Sequence, residues 1–259
     1  MDDSGKNFKI TTAYNSIDLV YRQGTIELQG KDKSLQSVIN LAKPNQLALR
    51  NLEYLMAALM FIATPQRILM LGTAAGSLLH FLRHYYPEAD ITAVDIDSEL
   101  VTQLLDRGIL PAADERLTYV CEDAARIMQN PDQRFDLVIF DVFNGAQSPP
   151  WLLEKSALQQ LHDLTSDNGA LAFNLLVDSD HDFKLFYRDL RQIFGQQTLS
   201  LPVSGLENKI VYAIRAASQG NDMASNMQTA LELSTQLEID FMPILSVIYN
   251  TNPVGGGLI

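Results

Sequence analysis

The chain lacks most of the features that would place it outside the ordinary globular proteins. Its 259 residues contain one cysteine, so an internal disulfide is excluded. No apolar run approaches the roughly 20 residues that cross a bilayer, and the opening MDDSGKNFK has no apolar signal core. Basic residues are also scarce, 19 against 31 acidic ones, and the net charge of -12 repels phosphate backbones. These shortages predict a cytoplasmic protein that binds neither membranes nor nucleic acids.

Metal and thiol chemistry have little support in the residue pattern. The histidines are scattered, and the one helical pair, His80 and His84, has no third ligand nearby. Cys121 lies in an apolar strand pattern, which favours a core position over a nucleophile. We therefore expect no metal site. Hydrophobic residues make up 47% of the chain, enough for one large domain with a sizeable core.

The segment from Arg67 to Asp95, RILMLGTAAGSLLHFLRHYYPEADITAVD, is the most informative part of the chain. Its apolar run at residues 68–71 predicts a short strand buried on both faces. The five residues after it, Gly72-Thr73-Ala74-Ala75-Gly76, carry little side-chain bulk. Small residues suit a place where the backbone turns sharply and a ligand approaches it. This order is typical of a nucleoside-binding half-site.

A helix and a second strand follow this glycine turn. Ser77 to Tyr86 has apolar residues at helical spacing, and its N-terminus would direct free N–H groups at a ligand. The strand at residues 91–94 ends at Asp95, about 20 residues after the turn, where an acid accepts hydrogen bonds from ribose hydroxyls. A tight turn without function is the alternative, because two glycines of the dinucleotide fingerprint are missing.

Strand and helix signals alternate from Arg67 to about Arg215. This alternation predicts an α/β fold with a mostly parallel, seven-stranded sheet covered by helices on both faces. The last two strands flank Ser204-Gly205 and predict a C-terminal antiparallel hairpin. Ser98 and Asp123 are the expected N-caps of two helices. The predicted strands are 68–71, 91–94, 117–121, 135–140, 170–176, 197–202 and 209–214, and the predicted helices are 77–86, 98–107, 123–129, 151–164 and 181–194.

Both ends of the chain depart from this alternation. Ile17 to Tyr21 and Thr25 to Leu28 predict a small N-terminal β-hairpin, and Gln46 to Ile62 predicts a helix. A C-terminal helix is expected to pack on the body or on a second subunit. Its apolar face comprises Met223, Met227, Ala230, Leu231, Ser234 and Leu237. We expect a loose tail at Asn252 to Ile259 and a division into residues 1–60, 61–216 and 217–259.

Acidic residues follow successive strands of the predicted sheet. Asp95 ends the second strand, Asp123 comes soon after the third, and Asp141 directly follows the fourth. Ligands bind outside the carboxyl ends of parallel strands, so these acids are expected to share one site. Asp123 has helix capping as an equal alternative. A positively charged nucleoside explains the three acids together, whereas a pyrophosphate would be repelled by them. The sequence therefore favours S-adenosylmethionine-type group transfer over hydride transfer.

The chain from about residue 17 to 215 resembles the spermidine synthase family, the polyamine aminopropyltransferases, and especially divergent bacterial spermidine-synthase-like members. The matching pieces are ILMLGTAAGSLLHFL for the glycine motif, AVDIDSELV for the ribose acid, CEDAARIM for the adenine motif and FDLVIFDVFNG for the catalytic strand end. The resemblance implies a Rossmann-like class I methyltransferase fold, a small leading β-hairpin domain and a homodimer.

The resemblance also implies roles for particular residues. Asp141 would be the catalytic base or the carboxylate that orients the amine substrate, with Asn144 beside it. Asp95 and Ile96 would hold the ribose side of the co-substrate, Asp123 and Ala124 its adenine edge, and Gln36 its tail. The glycine-turn residues that would contact S-adenosylmethionine or its decarboxylated form are Gly72, Thr73, Ala74 and Gly76.

Two departures from the family pattern put ordinary spermidine synthesis in doubt. Ala75 stands where the family usually has the aspartate that holds the amine of the decarboxylated co-substrate, and Asn144 replaces a second aspartate. Losing two acids from a site for a polycation removes charge pairs. We expect transfer of an aminopropyl or other alkyl group to a small amine. The alternatives are an S-adenosylmethionine-dependent methyltransferase and a non-catalytic nucleoside-binding homologue.

Overall fold

A computed structural model describes residues 7–31, 33–130, 133–145, 147–177, 179–215 and 222–252 of the protein. The chain begins with an antiparallel sheet in the order β1-β2-β3-β4. The predicted N-terminal hairpin is confirmed as its two central strands, which pair across the turn at Gly24. The strands flanking them were not predicted. The four strands are β1 (Asn7–Thr11), β2 (Ser16–Arg22), β3 (Thr25–Gln29) and β4 (Leu35–Asn40).

The central sheet has seven strands in the order β10-β11-β9-β8-β5-β6-β7. The strands β5 to β9 run parallel, and β11 is antiparallel to both β9 and β10. This arrangement confirms the predicted mostly parallel sheet with a C-terminal hairpin. Its strands are β5 (Arg67–Leu71), β6 (Asp90–Asp95), β7 (Leu117–Cys121), β8 (Phe135–Phe140), β9 (Thr165–Leu175), β10 (Thr198–Pro202) and β11 (Lys209–Ile214).

Helices cover both faces of this sheet. The predicted helix at 46–62 begins only at Arg50 and tightens into a 3-10 turn at Ala57–Phe61. The predicted helix at 151–164 is two pieces, because Glu154 adopts an extended conformation after a 3-10 turn at Pro150–Leu153. The α-helices are α1 (Arg50–Met56), α2 (Ser77–Tyr85), α3 (Ser98–Asp106), α4 (Ala124–Ile127), α5 (Lys155–Leu164), α6 (Asp180–Ile193), α7 (Met223–Leu237) and α8 (Phe241–Thr251).

The sheet separates two hydrophobic clusters. One cluster joins the N-terminal sheet, α1 to α3 and the C-terminal helices to one face, and the other packs α4, α5 and α6 on the opposite face. The N-terminal and C-terminal regions therefore share a core with the central sheet, and the predicted division after residues 60 and 216 stays a proposal. Within the ranges given above, no helix is both long and apolar enough to span a bilayer.

The C-terminal region differs from the prediction in three respects. Only part of the expected apolar face of α7 is covered: Ala230 and Leu237 are buried, whereas Met223, Met227 and Leu231 are exposed. An apolar stripe wider than the contact surface leaves one edge in solvent. The sequence did not predict α8. Asn252, expected in a loose tail, is buried and its side chain bonds both backbone groups of Ser200; residues 253–259 of that tail lie outside the described residues.

Candidate functional site

The glycine turn after β5 meets the end of β8 at the point where strand order reverses. Gly72 has φ +87°, and its amide donates to the Val94 carbonyl at 2.8 Å. A Cβ at this position would overlap the backbone carbonyl oxygen of Asp141. Asp141 itself donates its amide to the Leu71 carbonyl at 2.8 Å. Only glycine allows the turn and the strand end to approach this closely. Open α/β sheets bind ligands at such a switch point.

Two further residues of the turn have left-handed backbone conformations. Ala74 has φ +44°, which is uncommon for a residue with a side chain, and Gly76 has φ +81°. A Cβ on Gly76 would press into the side chain of Leu110. Gly76 is the N-cap of α2 and supplies no side-chain acceptor to the first helical N–H groups. Such a helix N-terminus favours negatively charged or electron-rich partners.

Asp95 is fixed to the glycine turn by Thr73. One carboxylate oxygen, Oδ2, accepts from the Thr73 amide at 3.0 Å and from its hydroxyl at 2.8 Å. The other, Oδ1, accepts from the amide of Asp97 at 3.0 Å. A carboxylate offers about four lone-pair positions, so Asp95 keeps acceptor capacity for a further donor such as a ribose hydroxyl. The predicted ribose acid is thus brought to the turn and oriented before any ligand binds.

Behind Asp95 lies a buried carboxylate that the sequence did not single out. Asp97 is 1% exposed. Its Oδ2 accepts from the Thr12 hydroxyl at 2.5 Å and from the Asn15 amide group at 2.7 Å, and Oδ1 accepts from the Leu100 amide at 3.0 Å. Asp97 is therefore the N-cap of α3, and the predicted cap at Ser98 is wrong by one residue. The same side chain ties the turn between β1 and β2 to the loop beside Asp95.

Asp123 follows β7 and caps α4, as the capping alternative predicted. Its Oδ1 accepts from the Ala125 amide at 2.9 Å. Ala124 behind it is buried. Ile96 lies next to Asp95 and leaves 41% of its surface exposed, although it is a large apolar residue. An apolar surface beside these acids suits the flat face of an aromatic base.

Asp141 directly follows β8 and faces a short chain of amide side chains. Its Oδ1 accepts from Nδ2 of Asn174 at 2.8 Å, and Oδ1 of Asn174 accepts from Nδ2 of Asn208 at 2.8 Å. Asn174 is 2% exposed on β9, whereas Asn208 lies in the loop between β10 and β11. Burial raises the pKa of Asp141 to about 6, and the Asn174 hydrogen bond opposes that rise.

The remaining predicted site residues lie farther from these contacts. Asn144 is exposed and its backbone amide donates to the Gln147 carbonyl at 2.8 Å. Gln36 is exposed on β4, one residue before Ser37, whose hydroxyl bonds the hydroxyl of Ser77 at 2.7 Å. That contact places β4 beside the start of α2. Ala75 is 1% exposed and belongs to the apolar cluster that includes the N-terminal sheet.

The histidine pair and the cysteine have local explanations. A ring nitrogen of His80 bonds the Ile109 carbonyl at 2.8 Å, and His84 packs edge-on against Tyr85. Cys121 is exposed, so its predicted core position is wrong. It pairs with Asp95 at the last position of β7, where the edge strand leaves the covered part of the sheet. Within the described ranges, no group of His, Cys, Asp and Glu side chains is arranged to hold a metal ion.

Comparisons with known proteins show what the chain is similar to. Residues 68–169 match the methyltransferase domain family. A polyamine aminopropyltransferase of Neisseria meningitidis is 26% identical over 224 residues, covering 86% of this chain and 85% of that protein. This relative is named as a transferase.

Two solved structures share the fold. The probable spermidine synthase from Corynebacterium glutamicum superposes with a TM-score of 0.74 at 20% identity, covering 88% of this chain and 86% of the other. Human methyltransferase-like protein 13 in complex with SAH gives a TM-score of 0.69 at 20% identity, covering 74% and 93%. The predicted resemblance is confirmed: the chain is similar to the polyamine aminopropyltransferases, and it has a Rossmann-like class I methyltransferase fold.

Proposed function

We propose that this chain is a transferase that binds S-adenosylmethionine or its decarboxylated form and transfers an aminopropyl or other alkyl group to a small amine. The observation that carries the proposal is the meeting of Gly72 and Asp141 at the switch point, with Asp95 fixed to the same turn by Thr73. A glycine turn beside a carboxylate at the switch point supports nucleoside binding next to a reactive group. The aminopropyltransferase and SAH-binding relatives support the same co-substrate class.

The residues of the site fit such a co-substrate. The glycine turn carries little side-chain bulk, which suits the approach of a ligand, and Asp95 retains acceptor capacity for ribose hydroxyls. Ile96 offers an exposed apolar surface for the adenine. We propose Gly72, Thr73, Ala74, Gly76, Asp95, Ile96, Asp123, Ala124 and Gln36 as the binding set. The sulfonium of the co-substrate supplies the electrophilic carbon and the thioether leaving group.

Asp141 is the proposed base. In the transfer a C–N bond forms as a C–S bond breaks, and the attacking amine must give up a proton. A carboxylate at this position attracts the amine and accepts that proton. With a pKa of about 6, Asp141 is mostly ionised at pH 7 yet more basic than an exposed aspartate. Asn144, three residues further on, would contact the acceptor.

Calorimetric titration tests the binding half of the proposal. S-adenosylmethionine, its decarboxylated form and methylthioadenosine should be titrated into the full chain, with Glu99→Gln as an exposed-acid control and Asp95→Asn as the site variant. We expect at least one compound to bind the wild type and the control, and to bind the Asp95 variant more weakly. Failure of all three compounds to bind would overturn the proposed function.

A methyltransferase is the second candidate, and Ala75 favours it. This position is buried in an apolar cluster and carries no charge, so no acid there repels the carboxylate of intact S-adenosylmethionine. Preference in the titration for the decarboxylated compound would count against this candidate. A non-catalytic nucleoside-binding homologue is distinguished by product formation across a panel of small amines. Turnover that falls about 10²- to 10⁴-fold in Asp141→Asn would reject the inert alternative.

A further inference from the structure

The side chains of Asn208 and Asn174 form a directional link from the β10–β11 loop to Asp141. A carboxamide has a donor end and an acceptor end, and rotation by half a turn exchanges them. Asn208 directs its NH₂ group at the oxygen of Asn174 at 2.8 Å. With its oxygen engaged in this way, Asn174 presents its own NH₂ group to Oδ1 of Asp141, also at 2.8 Å.

We propose that Asn208 is a positioning residue that acts through Asn174 to hold Asp141 with Oδ1 bonded and Oδ2 directed to the acceptor amine. This inference rests on the proposed function for its catalytic consequence, but the link itself is a property of the free protein. Asn208 does not contact the reacting atoms. It fixes which end of the Asn174 amide faces the carboxylate.

The surroundings of Asp141 make this link the main polar influence on it. Among the described residues, Asn174 is the hydrogen-bond donor to the carboxylate, and Oδ2 accepts no hydrogen bond. Within the described part of the chain, the pKa of Asp141 responds to burial, which raises it, and to this one hydrogen bond, which lowers it. A reversed Asn174 amide would set an oxygen against the carboxylate and make its ionised form costly. Since Asn174 already occupies one lone pair of Oδ1, Oδ2 is the oxygen better placed to accept the proton.

Because Asn208 lies in a loop, substitutions there test the link without disturbing the hydrophobic core. Asn208 is partly exposed between β10 and β11, whereas Asn174 is buried within β9. Asn208→Asp replaces the donor by a carboxylate that accepts from Asn174, which reverses the direction of the link. Leu206→Asp is the matched control, because it adds the same charge to the same loop at a side chain that is 49% exposed.

The decisive measurement is the titration of the Asp141 carboxyl carbon by NMR in protein with labelled aspartate, assigned with Asp141→Asn. We expect Asn208→Asp to raise the midpoint by about one to two pH units, and Leu206→Asp to shift it far less. The side-chain amide signal of Asn208 should also follow the ionisation of Asp141 in the wild type. An unchanged midpoint in Asn208→Asp, or an equal shift in Leu206→Asp, would overturn the link.

Kinetics give the second readout. With Asp141 ionising at higher pH, kcat of Asn208→Asp at pH 7 should fall by about two- to tenfold and recover at higher pH, while KM for the co-substrate stays unchanged. Asn208→Ala should lower kcat severalfold, about the value of one neutral hydrogen bond. A co-substrate KM that rises with no change in kcat would contradict the positioning role. A normal NMR titration with no turnover in any variant would instead count against the proposed function.

Discussion

The two acids at the centre of the site are held in different ways. Asp95 accepts hydrogen bonds from backbone and side-chain donors within the adjoining turn and loop, all close to it in the fold. Among the residues that the structure describes, Asp141 accepts one hydrogen bond, from the Asn174 amide, which is itself bonded by Asn208 of the β10–β11 hairpin. The proposed nucleoside end, at Asp95, is therefore held by several donors, most of them backbone amides, whereas the proposed reacting end, at Asp141, depends on two amide side chains.

The two acids also differ in their hydrogen-bond partners. The donors around Asp95 engage both of its carboxylate oxygens. Burial raises the pKa of Asp141 to about 6, so at pH 7 its carboxylate is mostly ionised but accepts a proton more readily than an exposed aspartate does. A group that must both attract an ammonium and take its proton benefits from such a compromise. The following variants separate the contributions of these two ends.

Gly72→Ala should have the largest effect, because Gly72 lies between the two ends. The new methyl would overlap the Asp141 carbonyl and hold φ at a strained positive value. We expect a loss of roughly 3–5 kcal/mol in the free energy of unfolding, measured by urea denaturation. Gly24→Ala is the matched control, since Gly24 has φ +79° with open space around it. Equal losses in the two variants would show that the close approach at Gly72 contributes nothing beyond backbone strain.

Asp95→Asn should weaken the nucleoside end without changing the reacting end. In the wild type the two carboxylate oxygens of Asp95 accept from the amides of Thr73 and Asp97. The asparagine side chain has one acceptor oxygen, so its NH₂ group must face one of these two donors. We expect the Kd for the co-substrate to rise about 10- to 100-fold, the range for a hydrogen bond to a charged group. The exposed Glu99→Gln should leave the Kd unchanged. A lower kcat at saturating co-substrate would contradict the separation of the two ends.

Asp141→Asn should stabilise the protein at neutral pH. The folded-state pKa of about 6 lies above the unfolded value, so ionised Asp141 destabilises the fold as pH rises from about 4 to 6. Above that window we expect the variant to be more stable than the wild type by roughly 1–3 kcal/mol, and equally stable below it. Denaturation midpoints at pH 4 and pH 7.5 measure the difference.

Asp136→Asn, at the other end of β8, is the contrasting variant. Burial opposes the shift, but amides of Gln66 and Arg67 and the Ser166 hydroxyl lower the pKa of Asp136. Its stabilising contribution is present above the unfolded pKa and is lost as pH falls through the lowered folded pKa. The same substitution should therefore destabilise the protein at pH 7.5. A stabilising effect at both aspartates would remove the distinction between them.

Thr12→Val should have the smallest effect and tests the support behind Asp95. The substitution removes the hydroxyl that donates to buried Asp97 at 2.5 Å and keeps the side-chain shape. We expect a loss of about 1–2 kcal/mol in unfolding free energy, and a severalfold rise in the co-substrate Kd. Thr11→Val on the exposed face of β1 is the control. A Kd that does not change would restrict the contact to a structural role.

The parts of the fold that sequence reasoning predicted are those specified by local pattern. The buried runs gave β5 to β9, the small residues gave the turn at 72–76, and Asp123 was recognised as a cap because capping depends on neighbours in sequence. Short exposed strands such as β1 and β4 carry too little apolar alternation to be recognised. Asp97 and Ser98 are adjacent and both are residues that favour helix N-caps, so the sequence alone does not show which of them caps α3. Tertiary contacts make the choice.

The missed residues of the site are polar groups whose partners are distant in sequence. Asn174 stands alone in the apolar run ALAFNLL, and a lone buried amide is a signal that a partner must exist. Its partners, Asp141 and Asn208, lie more than thirty residues away on either side. Thr12 and Asn15 are ordinary turn residues until the N-terminal sheet packs beside Asp97. Local periodicity carries no information about such pairs.

Cys121 offers a practical route into these questions. It is the one cysteine of the sequence, and it is exposed. It pairs with Asp95 at the last paired position of β6 and β7. Partial burial and the charges of Asp95 and Asp97 raise the pKa of its thiol, so alkylation needs mildly alkaline buffer. A single environment-sensitive fluorophore attached to Cys121 would report ligand binding beside Asp95, and no other cysteine has to be removed first.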